Sequence, residues 1–418
     1  MKNWAGNLSF GASSWHTPSS IEALQELVHA TPKIRAVGTR HSFNEVANSQ
    51  HALVSMERLN QVVSLDRENL TVTVEAGIRY GELSQYLNRH GFALHNLASL
   101  VHIGVAGACA TATHGSGIHN GCLSTAVASL DILKPNGESV RLSREKDPEM
   151  FNGTVVGLGA LGIITRLTLD IEPAFQVQQQ IYEELPFAEM ASHFEEIMSA
   201  AYSVSLFTDW AGETVNQVWL KHRMNDQQLR TFPADFFGAL PAKEKVHPVA
   251  GFSAESCTDQ MGVPGDWHER IQHFRLDFTP SAGDELQSEF LLPLESAIPA
   301  LNAIKSLGPK ISPLLYTSEI RTVAADDLWL SMAYGRPSVC IHFTWKSDWG
   351  GVKPVLKEIE NRLRTFDARP HWGKISMLSP SYIRAQYPKF EQFLALKNSV
   401  DPSRKFENAF LNDLLADL

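Results

Sequence analysis

Cysteine is scarce. Four thiols, Cys109, Cys122, Cys257 and Cys340, stand in 418 residues, none in a CxxC pair. That excludes a disulfide scaffold and the zinc ribbons. No apolar run reaches the about 18 residues that a membrane-crossing helix needs. Met1 to Phe10 lacks a basic stretch followed by an apolar one, so no membrane association is expected and a cytoplasmic protein is. A Lys/Arg block is missing as well. Lys and Arg number 36 against 46 Asp and Glu, a formal charge of -10, which repels nucleic acid. RNP, zinc-finger and helix-turn-helix patterns are absent. There is no internal repeat, no low-complexity tract and no heptad pattern, so a monomer is expected.

What is present is an ordinary globular composition, 44% hydrophobic and 20% charged. A chain this long can bury roughly three quarters of its surface and fill two or three domains. Ser19 or Ser20 can cap a helix carrying Leu24, Leu27 and Val28 at helical spacing. Short strands are expected at 34–37, 53–56 and 62–65. Asn69 to Gly77 alternates with period two, and a helix over 80–88 ends at Arg89-His90-Gly91. Further strands fall at 127–133 and 163–171, with Pro135-Asn136-Gly137 as a hairpin turn. The pattern is α+β, with a boundary near 173–180. Beyond it, 202–207, 218–220 and 339–345 read as strands. Residues 222–266 read as loops, 286–304 as helices interrupted by Pro293 and Pro299, 355–366 as an amphipathic helix, and 382–418 as mostly helical.

Three motifs mislead. Gly157-Leu158-Gly159-Ala160-Leu161-Gly162 matches GxGxxG, but a strand pattern follows where a dinucleotide fold needs a helix. His114-Gly115-Ser116-Gly117 lacks the leading glycine of a nucleophile elbow. His114 and His119 lack the partners a zinc site requires, so no metal is expected.

One segment stands out. Val37-Gly38-Thr39-Arg40-His41-Ser42-Phe43-Asn44 places a glycine and hydroxyl side chains directly after a strand. Such turns present backbone N–H groups suited to a pyrophosphate. Residues 96–121 are rich in Gly, Ala, Thr, Ser and His, which allows close approach of backbone to something flat. The GTRHS run, Asn96 to Gly107, Thr113-His114-Gly115-Ser116-Gly117, Gly159 to Ile164 and the C-terminal Asp401-Pro402-Ser403-Arg404-Lys405-Phe406-Glu407-Asn408 together resemble the vanillyl-alcohol-oxidase type of FAD-binding family. Within it, the nearly end-to-end resemblance is to bacterial alditol oxidases, which act on xylitol or sorbitol.

The resemblance implies a two-domain FAD-linked oxidase with a mixed-sheet substrate domain. Residues 1–175 form the main part of the FAD-binding domain, 176–370 the substrate domain, and 371–418 a segment returning to the first. It implies FAD attached covalently to His41. Gly38, Thr39, Arg40 and Ser42 would hold the cofactor from one side. Ala98, Ser99, Gly107, Thr111, His114, Gly115, Gly162 and Ile164 would hold it from the other. Gly104 and Ala108 depart from relatives, which often carry serine there.

An uncharged polyol must be recognised by hydrogen bonds, so polar residues inside apolar strands are the candidates. Glu319 and Arg321 are two apart and share a strand face. His342 lies in the apolar strand 339–345. By resemblance these three, with Lys374 and Ser99, line the substrate site, with Glu319 fixing Arg321 and Lys374 and either His342 or Lys374 relaying the proton. The expected reaction turns the terminal hydroxyl of the alditol into an aldose while dioxygen becomes hydrogen peroxide. The alternative is an aldonolactone or sugar dehydrogenase with another electron acceptor.

Overall fold

A computed structural model describes residues 1–224, 229–278 and 285–416. The arrangement is α+β. Near the N-terminus, Ile21–Ala30 is a helix capped by Ser20, whose Oγ accepts from the Ala23 N–H at 3.1 Å. Beside it Ile34–Val37 and Ser14–His16 flank Ala52–Ser55 in a three-stranded parallel sheet. A five-stranded antiparallel sheet follows, in the order Val62–Asp66, Thr71–Glu75, Ile163–Asp170, Val127–Leu133, Ser139–Ser143.

The GxGxxG run is the turn between the helix Pro148–Val155 and the strand Ile163–Asp170. Gly162 has φ +148, and a Cβ there would stand 2.4 Å from the Leu133 carbonyl oxygen. Its glycine serves close backbone packing.

A nine-stranded sheet is built from residues 176–370. Its site-bearing strands are β1 (Thr214–Arg223), β2 (Glu285–Pro293), β3 (Leu315–Val323) and β4 (Ser338–Lys346). The central order is Gln176–Pro186, β1, Ser203–Thr208, β3, β4, β2. One face packs Phe290, Ile320, Ile341 and Phe343 against helices that include Ala297–Lys305 and Trp349–Leu363. The other face is also largely buried but polar, with Glu289 and His342 on it. β2 does not match the expected run of helices over 286–304: its alternation lasts only to Phe290 before Leu291-Leu292 breaks it. Glu285–Pro293 is strand, Pro293 ends it, and a 3-10 turn at Leu294–Ser296 leads into the α-helix Ala297–Lys305, with Pro299 in its first turn. The helix expected at 355–366 begins earlier, at Trp349, where Asp348 caps it by accepting from the Gly351 N–H at 3.0 Å. Of the loop expected over 222–266, positions 225–228 lie outside the described residues.

The C-terminal segment forms helices Pro380–Ala385, Phe390–Val400 and Ala409–Leu415, and 417–418 are not described. It returns to the N-terminal sheet. The Ile34 N–H donates to Lys405 O at 3.1 Å. Arg35, buried, donates to the carbonyls of Phe406 at 2.6 Å, Val46 at 2.5 Å and Leu158 at 2.7 Å. One guanidinium thus ties four distant segments together.

Replacing Arg35 by Met leaves the Phe406 and Leu158 carbonyls without a donor, while Val46 O keeps Asn408 Nδ2 at 3.2 Å. At about 1–3 kcal/mol for each buried group left unpaired, a loss of at least ~2 kcal/mol in urea unfolding is expected. A loss under ~1 kcal/mol would show that the clamp is dispensable.

Candidate active site

One cavity of about 1110 Å³ runs from Trp4 and the 38–42 turn to β2, β3 and β4. Gly38, Thr39, Arg40, His41 and Ser42 line it at one side, with Ala98, Ser99, Gly107, Thr111, His114, Gly162 and Ile164. Gly115 does not line it. A Cβ there would meet Leu97 O at 2.4 Å, so its small size serves backbone packing. A Cβ added to Gly38 or Gly107 would meet nothing within 4 Å. These two bare backbones give a flat group room to lie against the chain, which fits a flavin dinucleotide.

His41 is partly buried and stacks on Trp4, with ring centroids 5.3 Å apart. Its Nδ1 lies 3.0 Å from Thr39 Oγ1, which also accepts from the Gly104 N–H at 3.1 Å. Burial, reinforced by nearby His102, pushes its pKa down to about 4. The imidazole is therefore neutral and keeps a lone pair for bond formation. Arg40 adopts φ +64, so the turn folds sharply.

The turn is stitched to the segment that carries Lys374. The Phe43 N–H donates to Gly373 O at 2.7 Å. Asn44 Nδ2 donates to Trp372 O at 2.9 Å and to Lys374 O at 2.8 Å. The sequence shows Asn44 only as the end of the motif.

On the opposite wall, strand register does the positioning. Glu289 of β2, His342 of β4 and Glu319 of β3 are direct cross-strand partners. They form a row of three abreast, with Arg321 two residues along from Glu319. The sharing of a face by Glu319 and Arg321 is confirmed, with Arg321 Nε 3.5 Å from Glu319 Oε2. The tie between Arg321 and Lys374 is different from that expected. Glu289, not Glu319, bridges them: Arg321 Nη2 donates to Glu289 Oε1 and Lys374 Nζ to Glu289 Oε2, both at 2.6 Å. Glu319 instead accepts from His273 at 2.8 Å. His114 Nε2 lies 3.4 Å from Glu289 Oε1 and links the small-residue segment to the network.

Lys374 Nζ lies 2.8 Å from His342 Nδ1, and His342 Nε2 lies 3.0 Å from Thr344 Oγ1. Ser99 lies at the cavity and holds the far wall through its backbone, accepting from the His273 N–H at 3.2 Å.

Burial and charge oppose one another here. Burial alone would raise the carboxyls, but Lys374 and Arg321 hold Glu289 well below the usual range, and Arg321 with His273 does the same for Glu319. Burial lowers Lys374, with Glu289 opposing. Burial together with Lys374 pushes His342 down to about 4. At neutral pH the wall carries two carboxylates, a guanidinium and the neutral His273 and His342. That arrangement can bind hydroxyls and stabilise negative charge on oxygen.

Glu289 escaped the sequence reading because its strand was read as helix. A lone carboxylate before Phe290-Leu291-Leu292 was the available signal. His273 offered none, since it lies outside any regular element.

His41, His222, His273 and His342 all have pKa values near 4 in the fold. The unfolded chain protonates them near 6.5, so their contribution is fully present above that value and is lost as pH falls through about 4. The melting temperature is expected to fall steadily between pH 6.5 and 4. His222→Gln, away from the carboxylate network, is expected to flatten the slope. An unchanged slope would contradict the assignment.

Comparison with known proteins agrees with this architecture. The family described as FAD binding domain matches residues 15–143, and that described as D-arabinono-1,4-lactone oxidase matches 284–414. The chain is 46% identical over 416 residues to an alditol oxidase of Streptomyces sp. (strain IKD472 / FERM P-14339), covering 99% of this chain and 98% of that one. It is 25% identical to the L-gulonolactone oxidase of Bos taurus, covering 98% and 97%. The fold is shared with cholesterol oxidase from B. sterolicum at a TM-score of 0.80, with 16% identity and coverage of 99% and 96%. No described helix is long and apolar enough to cross a membrane. On the end-to-end match at 46% identity, the chain belongs to the alditol oxidase family of FAD-dependent oxidoreductases.

Proposed function

We propose that this protein oxidises the terminal primary hydroxyl of an alditol such as xylitol or sorbitol to the aldose, with dioxygen reduced to hydrogen peroxide, using FAD held covalently at His41. It would act as a cytoplasmic monomer. The observation that carries the reading is the row of Glu289, His342 and Glu319 with Arg321 and Lys374 on one cavity wall. Such a wall offers donors and acceptors to successive hydroxyls of an uncharged chain. Each hydroxyl left unmatched would cost about 1–3 kcal/mol, which makes the site selective for polyols.

Residues 1–175 and 371–418 would hold the cofactor, and 176–370 would cover it. Gly38 and Gly107 leave space for it, and the neutral His41 supplies the nitrogen for attachment. When bound, FAD supplies the hydride acceptor and the path of electrons to dioxygen.

The chain's own residues then handle the proton. Arg321, fixed by both carboxylates, faces the oxygen as negative charge grows. Lys374 rests as the ammonium that pairs with Glu289; in the reactive form it has given a proton to solvent, which burial eases, so that His342 Nδ1–H donates to Lys374 Nζ and the Nε2 lone pair is exposed beside Thr344. The alcohol proton passes to Nε2 while the Nδ1 proton passes to Lys374, and the new ammonium is held by Glu289. His342 and Lys374 thus share the relay.

Acid precipitation of the holoprotein tests the attachment. Yellow colour is expected in the pellet, and in the supernatant for His41→Ala. Colour released from the parent would refute the covalent link. Anaerobic xylitol or sorbitol is expected to bleach the native flavin, with air restoring it and yielding peroxide. Bleaching by aldonolactones but not by polyols would overturn the substrate assignment.

A further inference from the structure

A second lysine–histidine pair starts at the cavity, which His273 lines, and ends behind it at Lys221. Lys221 of β1 is fully buried. Its Nζ donates to Ile271 O at 2.5 Å and Gln272 O at 3.0 Å, and lies 2.9 Å from His273 Nδ1. His273 is boxed by Phe207 and Trp219 at 5.5 and 5.1 Å. Its Nε2 is 2.8 Å from Glu319 Oε1, and its backbone N–H donates to Ser99 O. The chain Lys221–His273–Glu319–Arg321 therefore leads from a fully buried lysine to the cavity.

An ammonium is a donor only. When charged, Lys221 makes His273 Nδ1 an acceptor and leaves the proton on Nε2, facing Glu319. In the other tautomer an unprotonated Nε2 would face a carboxylate, with no hydrogen between them. We propose that Lys221 and His273 are positioning residues of the reaction: Lys221 selects the His273 tautomer whose Nε2–H holds the Glu319 carboxylate beside Arg321, in line for the substrate. This rests on the alditol reading given above.

Charge makes the device responsive. Lys221 lies one histidine away from Glu319, so its protonation changes by one the net charge behind that carboxylate. The charged or titratable groups facing Lys221 are His273, Glu319, Arg321 and the buried Cys257 thiol. Its strand neighbours, Gln179 and Ser203, carry no charge. Burial pushes Lys221 down to about 7, against the pull of Glu319. The tautomer lock therefore loosens as pH rises through that region.

The experiment uses the holoenzyme, with xylitol and sorbitol as reductants and the anaerobic flavin-reduction rate followed from pH 6 to 9. The parent is expected to show a limb near pH 7 that falls on the alkaline side. Lys221→Met, with a similar unbranched apolar side chain, is expected to lose that limb and run roughly tenfold slower or more, the scale of one charge-assisted hydrogen bond. His273→Leu is expected to be slow, and His273→Gln, whose amide can accept from Lys221 and donate to Glu319, to recover most of the loss. A Lys221→Met profile of the parent's shape, or equal rates for the two His273 variants, would overturn the inference. Nitrogen-15 shifts of His273 give a readout independent of turnover. Nε2–H in the parent and a mixture in Lys221→Met support the lock, and Nδ1–H in the parent overturns it. If no polyol reduces the parent, the substrate reading fails and the tautomer alone decides.

Discussion

Glu289 is fully buried between two cations, and the functional half of the structure depends on that balance. An isolated carboxylate at this depth would cost several kcal/mol or take up a proton. Arg321 and Lys374 keep it charged, each at 2.6 Å, and it in turn keeps them in place. Arg321 comes from β3 and Lys374 from the segment that returns to the N-terminal sheet. The ion cluster, with backbone bonds from His371 N–H to Glu289 O and from Ile375 N–H to Gln287 O, both at 2.9 Å, holds that segment against the nine-stranded sheet. Three strands in fixed register supply the rest, since a one-residue slip would turn the whole row to the opposite face.

The two sides of the cavity are coupled through backbone contacts. Asn44 and Phe43 hold the Gly373 and Lys374 backbone, so the turn bearing His41 is tied to Lys374. His114 joins the small-residue segment to Glu289, and Ser99 joins it to His273. A cofactor bound against Gly38 and Gly107 and a polyol bound at Glu319 and His342 would thus be held on one scaffold. Precise placement of reacting groups is where much of the rate enhancement of enzymes originates.

Much of this was legible in the sequence. Period-two alternation located 71–75 and 163–170 as strands, and Ser20 is one of the two serines expected to cap the first helix. The 38–44 motif and the polar residues inside 315–323 and 339–345 pointed to the cavity, and a family resemblance gave them roles. The failures were local. The alternation of β2 is short, broken by Leu291-Leu292 and followed by a true helix, so Glu289 is not singled out and the bridge between Arg321 and Lys374 falls to Glu319 in the sequence. Spacing can show that Glu319 and Arg321 share a face. It cannot show which carboxylate crosses from a neighbouring strand. Lys221 and His273 were invisible for the same reason, since their partners are about 50 residues away.

The account stands or falls on the charge of Glu289. The direct measurement is the anaerobic rate of flavin reduction by xylitol in Glu289→Gln, with retained flavin absorbance as the check on folding. The amide keeps the shape and removes the charge that fixes Arg321 and Lys374. A fall of about 100-fold or more is predicted, the scale of losing one preorganised electrostatic contact. A rate within about twofold of the parent's, on the factor-of-ten scale of 1.4 kcal/mol, would contradict it.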